Sequence, residues 1–220
     1  MKYETIRRDL VRFGRRIADK DLVVGAGGNI SARSRDVMLI KASGVAFEEA
    51  KPEDYIPVSI ATGELLEKGR RPSSELPMHL ACYRTREDVR AVVHTHSPYA
   101  TGVASAGVTL RPIFPDFVAV IDSEVPTLPF VTPCGEELAE AVCSVIGKAN
   151  AALLSNHGVV AVGENLKEAF YRAFIIEEAA RALVAGTVLG KVRFLSDEEA
   201  ARIRGLEKVQ YRMNVLKKRK

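Results

Sequence analysis

His94 and His96 stand two residues apart at the end of the apolar run Ala91-Val92-Val93. Val92 and Val93 are β-branched and read as a strand entering a core. On a strand, residues i and i+2 point to the same face, so the two imidazoles converge on one point. A third histidine, His157, follows a second apolar run, Ala151-Ala152-Leu153-Leu154. Three of the chain's 4 histidines thus stand at predicted strand ends. Three imidazoles with an open fourth position are the ligand set of a catalytic zinc rather than a structural one.

A carboxylate precedes them. Ser73-Ser74-Glu75-Leu76-Pro77 reads as the entry to a helix, with a serine as cap and Pro77 in the first turn. Serine hydroxyls and free N–H groups at a helix start suit a phosphate. Glu75 in that first turn either faces the same cleft or complements the helix dipole. His79, one turn on, reads as helix packing or as a partner lying behind the ligands. Two small-residue turns come earlier, Gly25-Ala26-Gly27-Gly28-Asn29 and Ala42-Ser43-Gly44. Each allows close approach of the backbone to an anion, and each is equally compatible with a simple tight turn.

The elements that must position these residues follow from periodicity. Ile6, Leu10, Phe13 and Ile17 predict an amphipathic helix over about Tyr3–Lys20. Short strands are expected at Ile30–Arg33, Val37–Lys41 and Tyr55–Ile60, the last turning into Glu64-Leu65-Leu66. Strands without intervening helices argue for a partly antiparallel sheet. The His94 strand is expected over Asp88–Thr95, followed by a helix from Ser97-Pro98 to about Ala106. The proline-rich stretch Leu110–Val131 reads as loop with a short strand near Phe117–Ile121. Helices are expected over Gly135–Ile146, from the box at Asn165-Leu166-Lys167-Glu168 to about Leu189, and after Ser196. In that last helix Ile203, Leu206, Val209 and Met213 form one stripe.

Composition bounds the partners. The chain has 220 residues with 47% hydrophobic residues, as expected of one domain over 1–220. Its formal charge of +4 fits an anionic substrate without requiring one. The terminal Lys217-Lys218-Arg219-Lys220 reads as a solvated tail rather than a nucleic-acid site. Cys82, Cys134 and Cys143 lack CxxC spacing, and no apolar leader or span is apparent, so a cytoplasmic setting without membrane contact is expected.

Taken in order, Gly28-Asn29-Ile30-Ser31, Ala42-Ser43-Gly44, Ser73-Ser74-Glu75, His94-Thr95-His96 and Asn156-His157-Gly158 resemble the class II aldolase family of the L-fuculose-1-phosphate aldolase type. The resemblance spans Leu10 to Gly190. It implies an α/β fold, a three-layer α/β/α sandwich with a central, mostly antiparallel sheet. It implies a homotetramer with sites at subunit interfaces. It implies one Zn2+ per subunit on His94, His96 and His157, with Glu75 as acid/base and as a ligand when substrate is absent. Gly28, Asn29, Ser43, Gly44, Ser73 and Ser74 would hold the phosphate of a sugar phosphate. The implied reaction is cleavage of a ketose 1-phosphate to dihydroxyacetone phosphate and a short aldehyde such as lactaldehyde. Phe114-Pro115-Asp116-Phe117 lacks the tyrosine that the bacterial aldolase carries in the corresponding loop, and Tyr211 resembles a second such catalytic tyrosine. Two other activities occur in families of this fold, sugar-phosphate 4-epimerase and methylthioribulose-1-phosphate dehydratase. Epimerase relatives carry aspartate where Glu75 stands. The adducin head, a non-catalytic interaction domain, lacks the metal histidines that this chain has.

Overall fold

The computed structural model describes residues 2–217. In chain order its elements are α1 (Glu4–Ala18), β1 (Asn29–Ser34), β2 (Val37–Lys41), β3 (Tyr55–Ser59), α2 (Leu76–Thr85), β4 (Ala91–Thr95) and α3 (Pro98–Ser105). They continue as α4 (Pro115–Ile121), β5 (Thr127–Leu128), α5 (Glu136–Ile146), β6 (Ala151–Leu154), β7 (Gly158–Gly163), α6 (Leu166–Leu189), α7 (Asp197–Gly205) and α8 (Glu207–Lys217). Residues 218–220 of the basic tail lie outside the described residues. Among the described residues no helix is long and apolar enough to cross a membrane.

The strands form one sheet in the order β3-β2-β1-β4-β7-β6-β5. Every pairing is antiparallel except β5 with β6. The strand residues alternate between two cores, as a pleated strand buried on both faces requires. Ile30, Ala91, Val93, Val159 and Ala161 face a core shared with α1, α3, α4 and α6. Val92, Val160 and Val162 face the other, shared with α2 and α5. The expected three layers and mostly antiparallel sheet are what the chain forms.

Two elements differ from expectation. Phe117–Ile121 is helical, within α4. A short apolar run does not distinguish strand from helix by itself. Pro115 at the start and Asp116 in the first turn are helix-entry residues, and they decide it here. The last helix is two, because Leu206 between α7 and α8 is extended (φ −69°, ψ 123°). The expected stripe is therefore split at Leu206, which is exposed. The Tyr55 strand turns back through Thr62-Gly63 as expected, but Leu65 makes only an isolated bridge to Val58.

One buried contact ties the sheet centre to the helical layer. The Glu177 carboxylate on α6 accepts from the Tyr99 and Ala100 backbone N–H groups at 3.1 and 2.8 Å. These are donors at the α3 start that no turn of the helix can satisfy. They lie just past His96, so the contact anchors the exit of the histidine segment. Replacing Glu177 with alanine removes the acceptor of both donors and leaves that of Ala100 buried without a partner. We expect Glu177→Ala to lower the unfolding free energy by about 2–4 kcal/mol, measured by chemical denaturation.

Candidate metal and substrate site

The three central strands carry the site. Asn29 on β1, His94 on β4 and Val160 on β7 lie side by side in the ladder. His94 is fully buried, and its Nδ1–H donates to the Val159 carbonyl at 2.9 Å. In neutral His94 this leaves the Nε2 lone pair facing the site. His96 lies one residue past the end of β4. His157 is held in the three-residue turn between β6 and β7, where Asn156 takes a left-handed conformation (φ 56°) that asparagine tolerates.

The turns close tightly over these rings. A Cβ on Gly158 would stand 2.1 Å from the Thr95 carbonyl oxygen. Gly28 has φ 65°, and a Cβ there would lie 2.8 Å from the His94 carbonyl oxygen. Glycine is required at both places for the histidine turns to approach each other.

The ring centroids lie 4.7, 4.8 and 5.2 Å apart. The His94 and His96 Nε2 atoms are 2.9 Å apart. Glu75 completes the cluster, with Oε2 3.1 Å from His94 Nε2 and Oε1 3.1 Å from His157 Nε2. One ligand atom from each of Glu75, His94, His96 and His157 falls within 4.8 Å of all the others. Glu75 Oε1 and His157 Nδ1 are buried without a hydrogen-bond partner. Burial, then the neighbouring His94 and His157 rings, push His96 down to about 4. A divalent cation would satisfy the converging imidazole and carboxylate lone pairs at once. The residues fit the metal that the resemblance implies.

Glu75 itself sits at the N-cap of α2, and the Ser73 hydroxyl accepts its backbone N–H at 3.3 Å. The expected serine therefore holds the helix entry one step earlier and leaves the Glu75 side chain free to turn inward. Burial works against the ionised carboxylate, but the His94 and His157 imidazoles beside it and the N–H donated by Asn29 outweigh it. The carboxyl is held well below the usual carboxylate range.

A cavity of about 270 Å³ opens in front of the cluster. Glu75, His96 and His157 form its floor, and all six expected phosphate residues line it: Gly28, Asn29, Ser43, Gly44, Ser73 and Ser74. Lys41, at the end of β2, lines it too and went unread in the sequence. The signal for it is a lysine closing a buried apolar strand immediately before Ala42-Ser43-Gly44. Its ammonium donates to the Ala26 carbonyl at 3.1 Å and to the Val45 carbonyl, and lies over the Phe47 ring. The side chain is 2% exposed. Burial pushes Lys41 down to about 8, with Glu48 opposing. Pro133 and Cys134 form the opposite rim. Tyr211, on α8, is exposed and does not line this cavity of its own chain.

Behind the floor a buried chain of side chains leads away. Asn29 Nδ2 donates to Glu75 Oε2 at 2.7 Å. Asn29 Oδ1 lies 2.5 Å from His79 Nε2, His79 Nδ1 lies 2.7 Å from Ser31 Oγ, and Ser31 Oγ lies 2.8 Å from Tyr83 Oη. Burial, with the His94 charge adding to it, pushes His79 down to about 3, so its ring is neutral.

The family of Class II Aldolase and Adducin N-terminal domains matches residues 8–184. A 5-deoxy-D-ribulose 1-phosphate aldolase of Bacillus thuringiensis serovar kurstaki is 38% identical over 195 residues, 88% of this chain and 91% of its own. An L-fuculose phosphate aldolase of Escherichia coli (strain K12) is 35% identical over 178 residues, 80% of this chain and 82% of its own. A solved L-fuculose 1-phosphate aldolase superposes with a TM-score of 0.88 at 32% identity, over 96% of this chain and 98% of that one.

Two expectations follow from the geometry. Protein prepared without chelator binds about one divalent cation per chain, counted by elemental analysis. His94→Ala and His157→Ala each bind less than about a tenth of that, because each removes one of three neutral donors. For Lys41, the folded value of about 8 lies below the ordinary 10.5, so between these values the unfolded chain holds more protons. Stability of the substrate-free protein rises with pH across that window and the gain is absent below it. From pH 7.5 to 9.5 the wild type gains about 2 kcal/mol more than Lys41→Met, measured by denaturant unfolding.

Proposed function

The chain belongs to the class II aldolase and adducin family and is a metal-dependent carbon–carbon lyase of sugar phosphates, and on that premise we propose that it cleaves a ketose 1-phosphate between C3 and C4. The products are dihydroxyacetone phosphate and a short, methyl-terminated aldehyde. The two curated relatives are named for substrates of this kind: a 5-deoxypentulose 1-phosphate would release acetaldehyde, and L-fuculose 1-phosphate would release lactaldehyde. The observation that carries the reading is the buried Glu75 carboxylate among three imidazoles, on the floor of a cavity whose wall is built of hydroxyls, glycines and an amine.

His94, His96 and His157 would hold zinc, the metal best suited to neutral imidazoles. A bound divalent cation supplies Lewis acidity, worth several kcal/mol of stabilisation for negative charge at the C2 oxygen. The protein's own groups do the rest. Ser43, Gly44, Ser73, Ser74 and Lys41 bind the C1 phosphate and thereby fix the reacting carbons. Binding energy remote from the chemistry becomes orientation in this way. In cleavage the C4 hydroxyl gives up its proton, the C3–C4 bond breaks to the aldehyde and an enediolate, and Glu75 delivers a proton to C3. In condensation Glu75 removes that C3 proton, a role typically worth about 10²–10⁴-fold. Lys41, the lysine that lines this cavity, is held by the Ala26 and Val45 carbonyls. Glutamate at 75, rather than the aspartate of the epimerase relatives, favours the lyase reading over 4-epimerisation. We read the whole chain as one catalytic unit that assembles as a homotetramer, with Tyr211 on exposed α8 serving a neighbouring subunit's site, where it takes the C4 hydroxyl proton in cleavage and returns it to the aldehyde oxygen in condensation.

A panel of aldehydes, each condensed with dihydroxyacetone phosphate, tests this directly. Acetaldehyde and lactaldehyde are expected to give ketose 1-phosphates, and chelator to abolish the reaction. Glu75→Gln lowers kcat by at least about 10²-fold. Epimerised substrate with no release of dihydroxyacetone phosphate would overturn the reading.

A further inference from the structure

The Asn29 side chain has both of its polar atoms committed inside the protein. The direction of every hydrogen bond in the chain behind it follows from one contact. Asn29 Nδ2 faces Glu75 Oε2 at 2.7 Å, and an amide nitrogen only donates. Asn29 Oδ1 then faces His79, so His79 Nε2 carries the proton and donates. In a neutral ring His79 Nδ1 is left to accept, and Ser31 Oγ–H donates to it at 2.7 Å. Ser31 Oγ in turn accepts from the Tyr83 hydroxyl at 2.8 Å. Each donor has one acceptor, and the order is the same at every step.

The chain is shielded from water. Asn29 is 4% exposed, Tyr83 2%, and Ser31 and His79 are fully buried. It also bridges two elements, since Asn29 and Ser31 come from β1 while Glu75, His79 and Tyr83 come from the start and body of α2. Glu75, His79 and Tyr83 recur at a spacing of four, one face of the helix. Asn29 and Ser31 recur at a spacing of two, one face of the strand. The two faces interlock polar group to polar group across what is otherwise an apolar helix–sheet contact.

We infer that His79 and Asn29 are positioning residues for Glu75: a directed hydrogen-bond chain from Tyr83 through Ser31, His79 and Asn29 fixes the Asn29 amide with its donor toward the carboxylate, and so aims Glu75 at the reacting carbon. This places the Asn29 side chain on the carboxylate, not on the phosphate. It rests on the reading of Glu75 as the group that moves the C3 proton. If His79 could not donate, the Asn29 amide would lose the contact that fixes its far side, and the charge-assisted hydrogen bond to Glu75 Oε2 would no longer be held in one direction. Groups that orient a site from behind in this manner typically cost about 10–100-fold when removed.

The test follows proton transfer alone. Zinc-loaded enzyme is incubated with dihydroxyacetone phosphate in D2O, and loss of the C3 proton is followed by NMR. Zinc stoichiometry and the KM for dihydroxyacetone phosphate are measured on the same samples. His79→Leu is expected to slow exchange by about 10–100-fold with zinc and KM unchanged within about twofold. His79→Gln places an N–H donor near the Nε2 position and is expected to restore exchange to within about threefold of wild type. Exchange by His79→Leu within threefold of wild type overturns the inference. So does a loss matched by loss of zinc or by a rise in KM, or a glutamine variant no better than leucine. Should His79→Leu fail to fold, Ser31→Ala decides. It is expected to slow exchange by about three- to tenfold with zinc and KM unchanged, and an unchanged rate overturns the inference. Glu75→Gln runs alongside and must abolish exchange. Exchange surviving there refutes the role of Glu75 itself, whereas loss there with His79→Leu fully active refutes only the positioning chain.

Discussion

Three imidazole nitrogens and a carboxylate oxygen converge at one end of a cavity, and the rest of the molecule is arranged to make that possible. The Nε2 atoms of His94 and His96 stand 2.9 Å apart, and the carboxylate lies 3.1 Å from the His94 and His157 rings. The surroundings fix that grouping from several sides. The Val159 carbonyl fixes the His94 tautomer, Gly28 and Gly158 let the turns close over the rings, and Glu177 pins the backbone just beyond His96. Stability is given up at the ligand cluster and recovered in two cores packed on either face of the sheet.

Strand order explains why residues so far apart in sequence converge. β1, β4 and β7 are consecutive in the sheet although long segments separate them in the chain. Asn29, His94 and the His157 turn are therefore neighbours by ladder pairing, which depends on backbone hydrogen bonds rather than on side-chain packing. The phosphate side is built otherwise. Ser43 and Gly44 follow β2, and Ser73 and Ser74 precede α2, so that wall consists of turns and a helix entry. Rigid strands hold the clustered imidazoles, and turns line the side proposed for the anion, for which close approach matters more than a side chain's angle.

Much of this was legible in the sequence, and the reasons are physical. A period of two places His94 and His96 on one face with no knowledge of the partner strands. Glycine and serine turns declare themselves by residue type, and so do the caps at Asn165 and Ser196, both of which form. What stayed hidden required knowing what packs on what. Lys41 reads as the polar end of a strand until Phe47 and two carbonyls close over it. Phe117–Ile121 looks extended because a short apolar run carries no period of its own, and only the residues before it settle the matter. The break at Leu206 is equally silent, because the apolar spacing runs on through it.

The Asn29 chain shows that a residue lining the cavity can also have its side chain committed behind it. Its position at the first residue of β1, straight after the glycine turn, is equally suited to an anion in front and a carboxylate behind. The choice is made by α2, whose every fourth residue on one face is polar: Glu75, His79 and Tyr83. On an amphipathic helix packed against a sheet, that face should be apolar, and a stripe of buried polar groups there costs free energy unless each finds a partner. Asn29 and Ser31, two apart on the facing strand, are those partners. A polar stripe on the buried side of a helix is thus a signal that its neighbour carries a matching one. Where the stripe begins with an ionised carboxylate in a cavity, the matching chain sets the direction in which that carboxylate points.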